Sequence, residues 1–554
     1  MMSGTPLSTT MPARASVLRR AARADASVAK VESDPVLTKT DRLLFVVLSI
    51  LSLVAVGNFL IGWFLRGWIH VNPVFFTIGS ALLLFFLVNH LGRWFLMLPM
   101  RRPRVIASPP GLRVAVVTTY VPGAESLELI ELALRGMVAI QYPHETWLLD
   151  EGDDPAARAL CAQLGVRHFT RRHRPEYQAD DGPFRRATKY GNYNAWLHQV
   201  GFASYDILSA FDSDHVPRAD YLHQVLGFFR DPSIGYVQPA QAYYNQRASF
   251  IARGAAEETY SYYSLVQMAS FAMGYPIIVG GHNLHRLTAL RAVNGLAPHD
   301  ADDLLTTLRY RNGGWRGVYV PRILARGLTP VDWRGYLQQQ RRWARSVIDI
   351  KVREWRNGSH QLGRRSRIMS AVQGFNFVNR GIFGLLMYSA IIGVLIFGGR
   401  FNIPGGPLLT PLLVFAGSVA VLEFFRQRFY LDPDTEGGIH WRSALLWYAK
   451  WPWLLAAVID VVRNRRLAYV ITPKVGERGF FRAFAFTHVF LAVGIVLAWM
   501  AGRMLHNEPT PLMMILASSC AVTSLWLAWT ELRGFPPPFD ATLWRPLNDP
   551  VNQS

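Results

Sequence analysis

Residues 206–214 read DILSAFDSD, an apolar run from Asp206 to Phe211 that stops at Asp212-Ser213-Asp214. A short apolar run bounded by acid reads as a buried strand. Past its end, two carboxylates one residue apart offer hard oxygen ligands to a divalent cation, which can in turn hold phosphate oxygens. Most Asp-x-Asp pairs are solvated turns, so the strand before this one carries the reading.

Similar runs flank it. Arg113 to Thr119 (RVAVVTT), Glu145 to Asp150 (ETWLLD), Gly165 to Thr170, Ile234 to Gln238 and Trp315 to Val320 read as strands. Glu125 to Ile140 and Pro155 to Leu164 carry helical spacing. Strands alternating with helices predict an α/β domain: a mostly parallel sheet with helices on both faces. Ligands of such sheets lie outside the carboxyl ends of the strands. Acids at those ends are therefore candidates for function.

Three further groups qualify. Asp150-Glu151-Gly152 closes a strand, and Asp302-Asp303 precedes the helical stretch LLTTLRYR. The bland reading of each is a polar turn or a helix cap, and it fits Asp302 best. Gln339-Gln340-Arg341-Arg342-Trp343 lies on a helix, with Gln339, Arg342 and Trp343 on about one face. An arginine fork suits phosphate oxygens and a tryptophan ring offers a sugar a flat apolar plate. Read alone, the same helix could be only a basic segment at a membrane surface.

The two ends of the chain are different in kind. Leu43 to Leu65, Gly67 to Gly92, Gly381 to Gly399, Phe401 to Leu422, Ala483 to Gly502 and Pro509 to Thr530 contain no Asp, Glu, Lys or Arg. Crossing a bilayer takes about 20 residues, so the six runs predict six spans. Basic residues from Arg14 to Arg42, at Arg93 to Arg104 and at Arg463 to Arg482 place both termini and the α/β block on the cytoplasmic side. Ser443 to Val462 is apolar too, but Lys450 and Asp460 interrupt it. A charge at the bilayer centre costs roughly 2.5–3.5 kcal/mol on insertion scales. The segment is expected to lie in the interface instead.

The expected layout follows. Residues 1–40 form a disordered cytoplasmic tail and 41–100 two spans. Residues 105–360 form the cytoplasmic α/β domain. Residues 361–530 hold four spans and the interfacial helix 443–462, and 531–554 a second tail. The net charge of +20 could suggest nucleic acid. Its clustering beside the apolar runs instead fits the lipid bilayer, and no nucleic-acid partner is expected. The two cysteines, Cys161 and Cys520, fall in different parts of the chain and predict no disulfide. A transporter or channel would leave the α/β block unexplained.

The order Asp150, Asp212-x-Asp214, Asp303, Gln339-x-x-Arg342-Trp343 resembles the processive family 2 glycosyltransferases: cellulose, hyaluronan and chitin synthases. Lys189-x-Gly191-Asn192, Gln238 with Asn245, and Tyr469-Val470-Ile471-Thr472-Pro473-Lys474 support the likeness. The resemblance implies a GT-A domain inserted between transmembrane helices of a multi-pass plasma (inner) membrane protein. It also implies Mg²⁺ or Mn²⁺ at Asp214 and a general base at Asp303. Asp150 would contact the nucleotide base, with Lys189 and Asp212 on the rest of the nucleotide. Gln339 and Arg342 would hold the diphosphate, and Trp343 the acceptor sugar. Tyr469, Thr472 and Lys474 would belong to a gating loop, residues 467–480. The implied partners are a UDP-sugar donor (UDP-glucose first, then UDP-GlcNAc or hyaluronan-type donors) and a growing β-linked polysaccharide translocated across the membrane. Homo-oligomers and accessory export subunits stay open. The alternative is a non-processive transferase with a lipid acceptor. Ala301-Asp302-Asp303 and Arg345-Ser346 lean toward hyaluronan synthases, and Gly280-Gly281-His282-Asn283 matches neither group.

Overall fold

The structure, a computed structural model, describes residues 31–65, 73–397, 405–465, 481–509 and 511–533. Most of the expected N-terminal tail, the whole gating loop with Tyr469, Thr472 and Lys474, and the C-terminal tail lie outside the described residues.

An eight-stranded sheet forms the centre of the chain. Ahead of it, β1 (Ser33–Pro35) pairs antiparallel with β2 (Arg101–Pro103). This corrects the expected tail, since residues 33–35 are part of a sheet and a helix begins at Lys39. The remaining strands are β3 (Val114–Tyr120), β4 (Glu145–Asp150), β5 (Arg167–Phe169), β6 (Ile207–Phe211), β7 (Val216–Pro217), β8 (Ile234–Tyr243), β9 (His282–Arg286) and β10 (Arg316–Gly327). Their order is β5-β4-β3-β6-β9-β8-β10-β7. The first four run parallel, as do β8 and β10. Strand β9 lies antiparallel between β6 and β8.

Alternation along β3 divides two cores. Val114 and Val116 pack with Ile130, Leu134 and Met137 on one face. Ala115 and Val117 pack with Tyr193, Trp196 and Leu208 on the other. Side chains of successive strand residues point to opposite faces, so a sheet covered on both sides needs apolar residues at every position. Strand β9, HNLHR, breaks that pattern and was not foreseen. Tertiary partners satisfy most of its polar groups: His282 Nε2 meets the Ala240 carbonyl, and His285 meets Tyr310 as well as Asn283 of its own strand. Arg286 donates to the carbonyls of Ile234, Phe229 and Asp231. A buried polar group is tolerated when it is hydrogen-bonded, and only the folded chain supplies these acceptors.

The helices used below are α1 (Lys39–Leu65), α2 (Pro73–Phe95), α3 (Leu127–Val138), α4 (Pro155–Leu164), α5 (Lys189–Trp196), α6 (Phe250–Ser261), α7 (Asp302–Asn312), α8 (Trp333–Asp349), α9 (Phe375–Phe397), α10 (Gly405–Gln427), α11 (Trp441–Val462), α12 (Arg482–Met504) and α13 (Pro511–Leu532). The described part of each of the six uncharged runs falls mainly on one of α1, α2, α9, α10, α12 and α13. Among the described residues, five helices are long and apolar enough to cross a membrane: Lys39–Leu65, Arg364–Phe397, Trp441–Val462, Arg482–Met504 and Met513–Leu532. Their outward side chains are large and apolar, as at Leu51, Phe490 and Leu525. This is a membrane protein.

Helix α11 covers the segment expected to lie in the interface, and by length and composition it is itself one of the five helices apolar enough to cross a membrane. Its charges are directed into the sheet domain. Lys450 donates to Glu258 of α6 and Gln340 of α8, all at 2.8 Å, and to Tyr336 at 3.0 Å. Asp460 accepts from Arg341 at 2.6 and 2.9 Å. Glu257 accepts from Ser443 N, near the start of α11, at 3.1 Å. Breaking one partner of a buried ion pair typically costs about 3–5 kcal/mol, so these contacts hold α11 on α6 and α8.

Candidate active site

Strand β6 delivers Asp212 to the carboxyl edge of the sheet. Its amide donates to the Gly281 carbonyl at 2.6 Å, and Lys189 donates to its carboxylate. Burial acts to raise this carboxyl, but the Lys189 ammonium and His215 outweigh it and hold it below the usual carboxylate range. Burial acts to lower Lys189, and Asp212 reverses that, keeping the ammonium charged. Lys189 opens α5, which Thr188 caps through the Gly191 amide. A Cβ at Gly191 would stand 2.2 Å from the Arg185 carbonyl, so only glycine lets the preceding loop approach. Asn192 donates to the Leu149 carbonyl at 3.1 Å, fixing α5 against the end of β4.

Asp214 is buried, and one oxygen accepts from Leu328 N at 2.7 Å. The other lies 3.3 Å from His215 Nδ1. One ligand atom each of Asp212, Asp214 and His215 lies within 4.8 Å of the others. The His215 Nε2 is buried with no hydrogen-bond partner, an orphan that a bound cation's ligand shell would relieve. Two carboxylates and an imidazole suit Mn²⁺ or Mg²⁺. The residues present fit the implied metal. His215 was missed in the sequence, although it directly follows the acidic pair.

Glycine 281 makes the cluster possible. Its φ is +93°, and a Cβ there would stand 2.8 Å from His215 Nε2 and 2.9 Å from Gln241 Oε1. Gly280 N donates to Asp303 Oδ2 at 2.7 Å. A single point beside Gly280 lies 3.8 Å from both Asp212 Oδ2 and Asp303 Oδ2. The structure thus brings together acids 91 positions apart in the chain. Gln238, buried under them, accepts from Val279 N at 3.0 Å and donates to the His282 carbonyl at 3.1 Å, holding the turn that presents both glycines.

Asp302 and Asp303 open α7. Asp303 accepts from Leu304 N as well as Gly280 N, both at 2.7 Å. Burial still raises its carboxyl, against those two bonds. Asp302 is pushed to about 7, first by burial and then by the charge of Asp303. A third half-buried acid, Glu125, accepts from Val121 N at 2.9 Å and from Ser213. Burial, with the charges of Asp214 and Asp212 behind it, raises Glu125 to about 7.

Asp150 is wholly buried at the end of β4. It accepts from Gly152 N at 2.9 Å, Asp154 N at 2.6 Å and His168 at 3.1 Å. It organises the turn after the strand rather than standing open at its surface. Glu151 accepts both arms of the buried Arg171 at 2.8 and 2.9 Å. Arg171 also donates to the carbonyls of Tyr177, Phe184 and Arg185, tying down the loop before Lys189. Neither role was legible in the sequence, since both depend on contacts up to 20 residues distant.

Helix α8 carries the last group. Asp332 caps it through Gly335 N at 2.7 Å. Asn245 and Thr329 exchange two bonds, 2.7 and 2.9 Å, just before it. Gln340, Arg341 and Ala344 face α11. Gln339 is buried, Arg342 half-buried and Trp343 41% exposed. An indole left this open is available to a ring stacked on it.

The sequence profile of the glycosyl transferase family group 2 matches residues 208–530, from strand β6 to the last apolar helix. The chain belongs to that family. Its α/β block is accordingly a GT-A glycosyltransferase domain flanked by membrane helices. Among curated proteins it is similar to cellulose synthase 1 of Komagataeibacter xylinus, 27% identical over 262 residues, covering 46% of this chain and 16% of that protein. It is also similar to the UDP-forming cellulose synthase catalytic subunit of Xanthomonas axonopodis pv. citri. That match is 26% identical over 294 residues, covering 50% of this chain and 38% of the relative. The chain thus matches well under half the length of these relatives. A solved mannosyltransferase of Pyrobaculum calidifontis, in complex with GDP-mannose and Mn²⁺, overlays 71% of this chain and 99% of its own, with 16% identity and a TM-score of 0.48.

Proposed function

We propose that this glycosyltransferase polymerises a UDP-activated sugar, UDP-glucose first, into a β-linked polysaccharide that it passes across the membrane. The observation that carries the reading is the convergence of Asp212 and Asp303 beside Gly280, where half-buried Asp212 clusters with buried Asp214 and His215. One side of that point can hold a nucleoside diphosphate and the other can take a proton.

Asp212, Asp214 and His215 would hold Mn²⁺ or Mg²⁺, which when bound offsets charge on the donor diphosphate. Lys189 keeps Asp212 ionised for that purpose. The turn built by Asp150 faces the nucleotide base. Gln339 and Arg342 bind the diphosphate, where an arginine fork matches two oxygens at once. Trp343 stacks under the acceptor sugar. The acceptor hydroxyl attacks the anomeric carbon opposite the leaving UDP, so an α-linked donor gives a β-linked product. Its proton passes to the Asp303 carboxylate. Gly280 N and Leu304 N orient that carboxylate. The catalytic domain is on the cytoplasmic side, where the donor is made, and α11 lies in the interface with its charges turned to α6 and α8.

The experiment is incubation of purified protein with each UDP-sugar and Mn²⁺ or Mg²⁺, followed by digestion with linkage-specific hydrolases. UDP release with UDP-glucose and a polymer cleaved by a β-glucanase is expected. A single sugar transferred to lipid, with no polymer, would replace the processive reading with the non-processive one.

A further inference from the structure

The loop that delivers Asp302 and Asp303 is bound to the helix that carries Gln339, Arg342 and Trp343. His299 Nε2 lies 3.2 Å from Asp349 Oδ2 on α8, and its Nδ1 accepts from Ala301 N at 3.0 Å. A ring nitrogen that accepts from an amide carries no proton, so Nε2 is the donor. Burial lowers the pKa of this histidine, the direction that favours the neutral ring this tautomer needs. Beside it, Asp300 pairs with Arg345 of α8 at 3.6 Å. Asp349 also pairs with Arg353, and Arg345 donates to the Arg465 carbonyl at 3.0 Å.

The spacing on α8 gives these contacts their meaning. Arg342, Arg345 and Asp349 stand at i, i+3 and i+7, on one face of the helix. The loop therefore runs along the face that ends at Arg342. On the loop side, His299 bonds the amide of Ala301, which directly precedes α7 and has no side-chain cap of its own. One imidazole thus bonds both the start of the acidic helix and the helix of the diphosphate and acceptor groups.

We infer that His299 is a positioning residue, which with Asp349 sets the separation between the Asp302-Asp303 pair and the Gln339, Arg342 and Trp343 row. The inference rests on the reading above, in which Asp303 takes the acceptor's proton. His299 touches no substrate. It acts through the relative placement of two helices.

The two halves of its role can be separated. In His299→Asn the amide oxygen can still accept from Ala301 N but no longer reaches Asp349. In His299→Gln the amide nitrogen can reach Asp349. The full-length protein is assayed for UDP release with UDP-glucose and Mn²⁺, for UDP affinity by calorimetry, and for melting temperature. His299→Asn should lose about tenfold in kcat, less than the ~10²-fold that a 1 Å misplacement can cost. Donor KM, UDP affinity and melting temperature should be unchanged, and His299→Gln should recover most of the loss. Asp349→Ala should show the same split, and the double variant His299→Asn with Asp349→Ala should be no slower than the slower single.

Independent, multiplying losses would overturn the inference, as would a loss that follows melting temperature or UDP affinity. So would a fully active His299→Asn beside an inactive Asp303→Asn, and that outcome leaves the proposed function standing. A normally active Asp303→Asn would remove that reading and the inference with it. If His299→Asn does not fold, the split in Asp349→Ala decides.

Discussion

Two acidic clusters face each other across Gly280, and the chain treats them in opposite ways. After β6, Asp212 is paired with Lys189 and held below the usual carboxylate range, while Asp214 is bound to Leu328 N beside His215. At the start of α7, Asp302 and Asp303 are both raised, Asp302 to about 7. The residue type is the same, and of the four carboxylates Asp214 is buried and the other three are half-buried. The difference is the cation: one cluster has an ammonium in contact, and the other has mainly its own second carboxylate. A nearby opposite charge favours ionisation and a like charge opposes it. In the proposed reaction the first cluster stays negative to hold a cation, and the second, whose carboxyls are raised, takes up the proton.

The most severe way to break this contrast is to remove the first cluster's buried ligand. Asp214→Ala should lower turnover by about three orders of magnitude, since a catalytic metal supplies several kcal/mol. The loss should not be rescued by excess Mn²⁺, and wild type in EDTA should fall likewise. UDP release in a coupled assay measures both, and full activity in EDTA would dissolve the distinction between the clusters.

Next is the base. Asp303→Asn keeps the shape and removes the charge, so turnover should fall by about 10²–10⁴-fold. Calorimetry should find UDP affinity retained, in contrast to Asp214→Ala and Arg342→Ala.

A smaller effect is expected at the cation. Lys189→Met leaves half-buried Asp212 without its ammonium, so its carboxyl rises. The acid limb of the rate profile should move to higher pH, with a loss of about tenfold for each unit the limb moves. A limb that stays in place would show that Lys189 does not set the charge of the first cluster.

The mildest variant should be Asp302→Asn. Below about pH 7 Asp302 already holds a proton, and the amide mimics that neutral form. Rates there should stay within about threefold of wild type, while above it any inflection caused by ionisation of Asp302 should vanish. An inactive Asp302→Asn beside an active Asp303→Asn would exchange the roles of the two.

Much of the architecture was readable along the chain. Strand ends agree within a few residues for β3, β4 and β6, because short apolar runs closed by acid or polar residues have few other meanings. Strand β9 was not readable, since HNLHR becomes a central strand only through acceptors contributed by β8, α7 and the segment 229–234. The acidic and basic groups were named in advance because their residue types limit their chemistry. His215, Glu125, Arg171 and His299 were not, because each acts through a contact made only in the folded domain. The apolar run at Ser443 to Val462 shows the same limit: hydropathy alone reads a span, whereas Lys450 and Asp460 are explained by partners more than 100 residues away.

The sequence by itself determined an α/β block between long apolar helices, the family pattern from Asp150 to Trp343, and which side chains could bear charge. These are local properties of composition and spacing. Only the tertiary structure decided which carboxylates share a point in space, which of them keeps its charge, and which histidine ties one helix to the other. Proximity and burial set those energies, and neither is a property of any stretch of chain short enough to read alone.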